Sequence, residues 1–412
     1  MSTIAWIALG SLAAWLWLLL GQGFFWRTDQ RLPRRGAPGE WPPPEGRVPG
    51  SARWPSVVIV VPARDEAGVL PESLPSLLRQ DYPGEASVIL VDDGSTDGTG
   101  PLARELSVRC DGLPLTVTSP GEPGPGWTGK LWALRHGIAL ARAERPEYLL
   151  LTDADIAHEP DSLRELVAAA RTNGLDLVSQ MARLRVATVW EQLVVPAFVY
   201  FFAQLYPFRW INKERPWATA AAGGCVLLRT DAAERAGIPE SVRQAVIDDV
   251  AVARAVRRAG GRVWLGLADR VDSIRPYPRL TDLWRMVSRS AYAQLRHNPL
   301  LLAGTVAGLA VVYLAPPVAL CVAWLAPDAP GGAVAGWAGF LAWAVMAGTY
   351  LPMLRYYGQP PGMALLLPFT ALLYLLMTVD SAVQHYRGRG AAWKGRTYAR
   401  PDPAPGRRGG TA

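Results

Sequence analysis

Two aspartates separated by one small residue, Asp153-Ala154-Asp155, close an unbroken apolar run that begins at Tyr148. A short continuous run of bulky apolar side chains reads as a strand buried on both faces. Along an extended backbone, residues i and i+2 point the same way, so both carboxylates can face one cation. Ligands of open α/β sheets lie beyond the carboxyl ends of the strands, where these acids fall. The competing reading is two solvated acids in a loop, with Asp155 capping a helix. Three more stations have the same character: Pro62-Ala63-Arg64-Asp65-Glu66, Asp92-Asp93-Gly94-Ser95, and Asp248-Asp249, the last preceded by the small-residue run 220–224. Each alone has a structural explanation, because Asp92 and Ser95 can cap a turn and a helix, and Asp248-Asp249 can stabilise a helix N-terminus. Lys130 lies in a Gly-rich turn at a helix start, a place suited to phosphate or nucleobase contact; a surface lysine is the alternative. Arg285 and Arg289, four apart on an expected helix, can approach a diphosphate or face lipid headgroups. The four histidines share no motif, and His158 is expected at the surface.

The elements that must position these residues alternate. Strands are expected at 56–61, 86–91, 113–118 and 148–152, with helices at 72–79, 97–106, 130–143, 160–171 and 250–258. This βαβ pattern implies an α/β domain over 55–298, a mixed but mostly parallel sheet flanked by helices.

The rest of the chain is apolar. Of 412 residues 50% are hydrophobic and only 19% charged, a balance that points to membrane segments. Residues 1–26 hold one candidate span with aromatic residues at its end. Arg27, Arg31, Arg34 and Arg35 follow, in a basic, Pro-rich linker over 27–54, and place the domain in the cytoplasm by the positive-inside rule. Residues 193–210, rich in Phe and Tyr, are expected to lie in the headgroup layer, with a core helix as the alternative. The region 299–380 contains three apolar stretches at 300–326, 332–354 and 363–379, the first interrupted by Pro316-Pro317. A basic tail, 381–412, completes the chain. Three full crossings would leave that tail outside, against the same rule, so one stretch is expected to be re-entrant or interfacial. The net charge of +7 is gathered beside the first span and in the tail. That placement fits anionic lipids better than nucleic acid. Cys110, Cys225 and Cys321 are too far apart for a paired framework or a zinc site and read as buried hydrophobes.

In order and wording the four stations resemble glycosyltransferase family 2, inverting enzymes of the GT-A type, over about residues 55–298. Gly23-Phe24-Phe25-Trp26-Arg27, Gly126-Trp127-Thr128-Gly129-Lys130, Asp153-Ala154-Asp155 and Ile247-Asp248-Asp249 are most similar to the hopene-associated membrane glycosyltransferases of bacteria, and Trp393-Lys394-Gly395-Arg396-Thr397-Tyr398 resembles the ends of related membrane enzymes. The resemblance implies a UDP-sugar donor, Mg²⁺ or Mn²⁺ on Asp155 with Asp153 beside it, and nucleotide-sugar contacts from Pro62, Asp65, Glu66, Asp92, Asp93 and Lys130. It makes Asp249 the general base and leaves Asp248, where the family more often has Glu, with a less defined part. It also implies a multi-pass protein of the bacterial inner membrane and a hopanoid or related isoprenoid lipid acceptor, with membrane lipids as neighbours. A polyprenyl phosphate or carotenoid acceptor stays open, as does a catalytically silent nucleotide-binding scaffold. Processive relatives carry Gln-x-x-Arg-Trp; residues 283–289 lack it, so transfer of a single sugar is expected.

Overall fold

A computed structural model describes residues 1–33, 53–215, 217–326 and 328–388, with two short paired strands at Ala392–Trp393 and Arg396–Thr397. Arg34, Arg35, most of the linker and most of the basic tail lie outside the described residues.

Eight strands form the central sheet: β1 Val57–Ala63, β2 Ala86–Asp92, β3 Leu115–Thr118, β4 Tyr148–Thr152, β5 Ile156–His158, β6 Leu177–Leu184, β7 Cys225–Arg229 and β8 Val263–Ser273. Their order is β3-β2-β1-β4-β7-β6-β8-β5. Strands β1 to β4 lie within a residue or two of expectation, and their mutual pairings are all parallel. Beyond β4 the sheet becomes mixed, because β7 runs antiparallel to both β4 and β6 and β5 runs antiparallel to β8. Only β6 and β8 are parallel there. All seven residues of β1 and all five of β4 are buried. A buried Val or Leu contributes about 1.5–3 kcal/mol over an exposed one, so these two strands anchor the layer that carries the acids. Helix Gly129–Ala143 packs on β1 and β2 through Gly137, where an added Cβ would come within 2.5 Å of Val60.

Among the described residues, four helices are long and apolar enough to cross a membrane: Thr3–Leu20, Pro299–Leu325, Gly332–Tyr356 and Pro361–Tyr386. The second is not broken at Pro316-Pro317. A π-helical turn, Ala310–Leu314, precedes the prolines, and the Val312 carbonyl, which has no N–H partner at Pro316, accepts the Trp15 Nε1–H at 2.7 Å. Residues just after the first helix tie it to the sheet. Arg31 bridges to β8 in the backbone, pairs with Asp269 at 3.0 Å and lies over the ring of Tyr356.

The segment expected among the headgroups at 193–210 forms helix Val189–Leu205, opened by a Thr188/Glu191 capping box. It is largely buried between the sheet domain and the apolar helices, so the core alternative describes its surroundings better. Tyr200 is fully buried and hydrogen-bonds with Thr349, and Tyr374 donates to the Val194 carbonyl.

Candidate active site

The carboxyl ends of β1 and β4 and the start of helix Asp248–Arg258 converge on a cavity of about 1400 Å³. The β1 and β2 turns are clamped together. Asp65, at φ 50°, accepts the Thr96 N–H at 2.8 Å, and its own N–H donates to Ser95. Asp92 accepts the Ser95 N–H at 2.9 Å, the turn cap considered from the sequence. Asp93 is buried with Arg64 3.4 Å away. These three acids shape the turn and are not in the cavity lining, which does include Pro62, Glu66, Lys130, Asp153, Asp155, Asp248 and Asp249.

Lys130 sits in the first turn of its helix and joins two stations. Its ammonium lies 2.8 Å from Oδ1 of Asp153 and 3.1 Å from Oδ2 of Asp248. Burial alone would lower its pKa, but Asp153 and Asp248 outweigh that and hold it above the usual range. Asp153 is raised, first by burial and then by Asp155 and Asp248, against the pull of Lys130. Asp249 lines the same cavity close to Lys130. Its Oδ2 accepts the Gly223 N–H at 2.8 Å and its Oδ1 the Val250 N–H at 2.7 Å. Burial, then the neighbouring Asp248, push Asp249 up to about 7, with Lys130 and the two N–H groups opposing.

The sequence did not single out Arg275, which follows β8. Its Nε donates to Oδ2 of Asp155 at 2.7 Å and its Nη2 to Oε2 of Glu66 at 2.6 Å. Glu191, fully buried, pins the same loop by accepting the Tyr277 N–H at 2.6 Å. His158 is a correction: it is buried, not at the surface. Its ring lies between Thr152 at 3.0 Å and Ser162 at 2.9 Å, and burial lowers its pKa to about 3, so it serves as a neutral support beneath the acids.

The cavity continues past the acids. Phe198 and Phe202 line it, whereas Phe201 turns away and packs between Tyr313 and Tyr374. Arg285 and Arg289, both exposed, line the outer part with Trp284, whose Nε1 donates to Asp380 at 2.9 Å.

Residues 58–237 match the model of glycosyl transferase family 2. This stretch is a glycosyltransferase family 2 domain. Asp248 and Asp249 lie beyond the matched residues. The chain is 31% identical over 126 residues to the undecaprenyl-phosphate mannosyltransferase of Micrococcus luteus, covering 30% of this chain and 48% of that protein. Against the polyprenol monophosphomannose synthase of Mycolicibacterium smegmatis it is 29% identical over 168 residues, 38% of this chain and 58% of that one. The chain thus spans about half the length of these curated relatives. The solved mannosyltransferase PcManGT from Pyrobaculum calidifontis, in complex with GDP-Man and Mn²⁺, superposes with a TM-score of 0.51 at 21% identity, over 93% of this chain and 99% of that one. The family 2 domain therefore has the mixed α/β architecture of the GT-A type, extended by apolar helices at both ends.

Proposed function

We propose that this chain is a membrane-bound inverting glycosyltransferase that moves one sugar from a UDP-sugar to a lipid hydroxyl, on a hopanoid or related isoprenoid acceptor. One observation carries the reading: Asp249 and the Asp153/Asp155 pair face a common cavity, with Lys130 paired to both Asp153 and Asp248. Asp249 takes the proton of the acceptor hydroxyl while that oxygen attacks the anomeric carbon and the bond to the diphosphate breaks. The N–H groups of Gly223 and Val250 hold the carboxylate in place for this step. Lys130 is within reach of the departing diphosphate, and Glu66 meets the donor as a cavity-lining acceptor for ribose or base N–H and O–H groups.

The acids suit a divalent cation. Among the described residues no group of three His, Cys, Asp or Glu side chains forms a complete metal cage. Two carboxylates plus donor phosphate oxygens are nevertheless a usual set for Mg²⁺ or Mn²⁺. Lys130 pairs with one oxygen of Asp153 at 2.8 Å and Arg275 with one oxygen of Asp155 at 2.7 Å. Asp155 and Asp153 would hold the ion, whose chemistry is to offset the charge of the leaving diphosphate. The Mn²⁺ in the mannosyltransferase complex supports a divalent ion, and the choice of Asp155 and Asp153 rests on their place in the cavity.

The domain is proposed to face the cytoplasm at the inner membrane. A second reading has support from the two mannosyltransferase relatives, whose names place the sugar on a polyprenyl phosphate. A phosphate acceptor arrives already ionised and needs no base, which makes the held carboxylate of Asp249 superfluous. The two readings separate in the product. Membranes containing the protein, given labelled UDP- and GDP-sugars and isoprenoid lipids, should form an acid-stable glycoside from a UDP-sugar. A product cleaved by mild acid, as a glycosyl phosphate is, would establish the second reading.

A further inference from the structure

The last apolar helix begins and ends on the same side of the molecule. Thr3–Leu20 starts beside Gly331, at the head of the third apolar helix, since an added Cβ there would lie 3.2 Å from the Ser2 nitrogen. It finishes at the catalytic domain, where Gln22 donates to the Gln204 carbonyl. Pro299–Leu325 leads away from the domain, its second half packing beside the start of the first helix. Gly332–Tyr356 returns, and the Tyr356 hydroxyl donates to the Ala268 carbonyl on β8. Pro361–Tyr386 therefore starts on the domain side. A helical segment of 20 residues is about 30 Å long, enough to carry its far end across a bilayer. Instead it stays on the domain. Tyr374 reaches Val194, Asp380 receives Trp284, Ser381 accepts the Tyr292 N–H at 3.0 Å, and Tyr386 hydrogen-bonds with the Tyr292 hydroxyl at 2.9 Å. Tyr292 also donates to the His297 carbonyl, two residues before the outbound helix starts, so both helix ends lie at one level.

We infer that Pro361–Tyr386 does not cross the membrane but lies along it on the catalytic side, with the bilayer against its outer face. Leu365, Phe369, Leu376 and Val383 are exposed at spacings that form one stripe. Ser381 on the opposite face and Asp380 at the edge of the stripe both line the cavity, so this helix and Leu280–Gln294 frame the mouth through which a lipid headgroup reaches the acids. Three crossings then remain, and Arg387 falls on the same side as Arg27 and Arg31, in accord with the positive-inside rule. Neither the number of crossings nor the orientation of this helix depends on which sugar or acceptor the enzyme uses.

Single cysteines at three exposed positions test it in the full-length protein: Val108→Cys in the catalytic domain, Asp328→Cys between two crossing helices, and Arg387→Cys just past the last helix. Intact cells and inverted vesicles are treated with a membrane-impermeant maleimide, and labelling above that of the unsubstituted chain is measured. The inference requires position 387 to label from the same side as 108 and position 328 from the other. Labelling of 387 together with 328 would overturn it, as would labelling of 328 together with 108.

Discussion

Arg275 and Asp155 meet at 2.7 Å, Nε to Oδ2, although 120 residues separate them. The same guanidinium holds Glu66 at 2.6 Å, so one side chain from the loop after β8 fixes the acids of β1 and β4 relative to each other. Arg275→Lys keeps the charge but loses the fork that serves both partners. Donor KM should rise about ten-fold, equivalent to roughly 1.4 kcal/mol, with a smaller change in kcat. Unchanged KM with a collapsed kcat would show that Arg275 acts on the reaction and not on donor placement.

The raised pKa of Asp249 sets a pH dependence. Burial and Asp248 bring it to about 7, and only the ionised form can accept a proton. The rate of transfer at low substrate should therefore fall as pH drops through about 7, and Asp249→Asn should lack that limb. Stability runs the other way. A carboxyl with a folded pKa above its unfolded value contributes stability below the unfolded value that is lost as pH rises through 7. Asp249→Asn should thus gain melting temperature relative to the parent on going from pH 5 to pH 8. A constant difference across that range would contradict the assigned shift.

The two kinds of information in this sequence differ in range. Asp153-Ala154-Asp155 was legible because period-2 geometry and the end of an apolar run are local facts, and β1 to β4 follow the same logic. Arg275 was not, since the partners that give it meaning are 120 and 209 residues away. The antiparallel β7 was hidden for a related reason. Its five residues are as apolar as those of a parallel strand, and nothing local distinguishes the two directions. His158 looked like a surface residue because its neighbours Glu159 and Asp161 are polar, while its ring turns inward to Thr152 and Ser162. The conflict between three apolar stretches and a basic tail was visible from the start, and only the contacts of Tyr292 with Ser381 and Tyr386 indicate which stretch stays on one side.

The aromatic residues of Val189–Leu205 divide by position. Phe202→Ser and Phe198→Ser, on the cavity wall, should raise the lipid acceptor requirement and leave hydrolysis of UDP-sugar by water nearly unchanged. Phe201→Ala should instead lower the melting temperature, because its ring stacks edgewise on Tyr313 and Tyr374 with centroids 5.4 and 4.9 Å apart. Loss of up to about 3 kcal/mol is expected for a ring of this kind that is only partly buried. If all three variants lose both activities together, the segment is packing alone and the acceptor enters elsewhere.

Asp155→Ala should abolish transfer, and an excess of a divalent-ion chelator should do the same to the unsubstituted protein. Full activity in chelator would show that Lys130 and Arg275 alone neutralise the leaving diphosphate.

The central claim is that Asp249 is the base of a glycosyl transfer to a hydroxyl. Its most direct measurement pairs two readouts on Asp249→Asn: UDP binding by titration calorimetry and the single-turnover rate of sugar transfer to lipid. The account predicts UDP affinity within a few-fold of the parent and a rate lower by about two to four orders of magnitude. Parallel losses of affinity and rate, or a rate that survives the substitution, would contradict it.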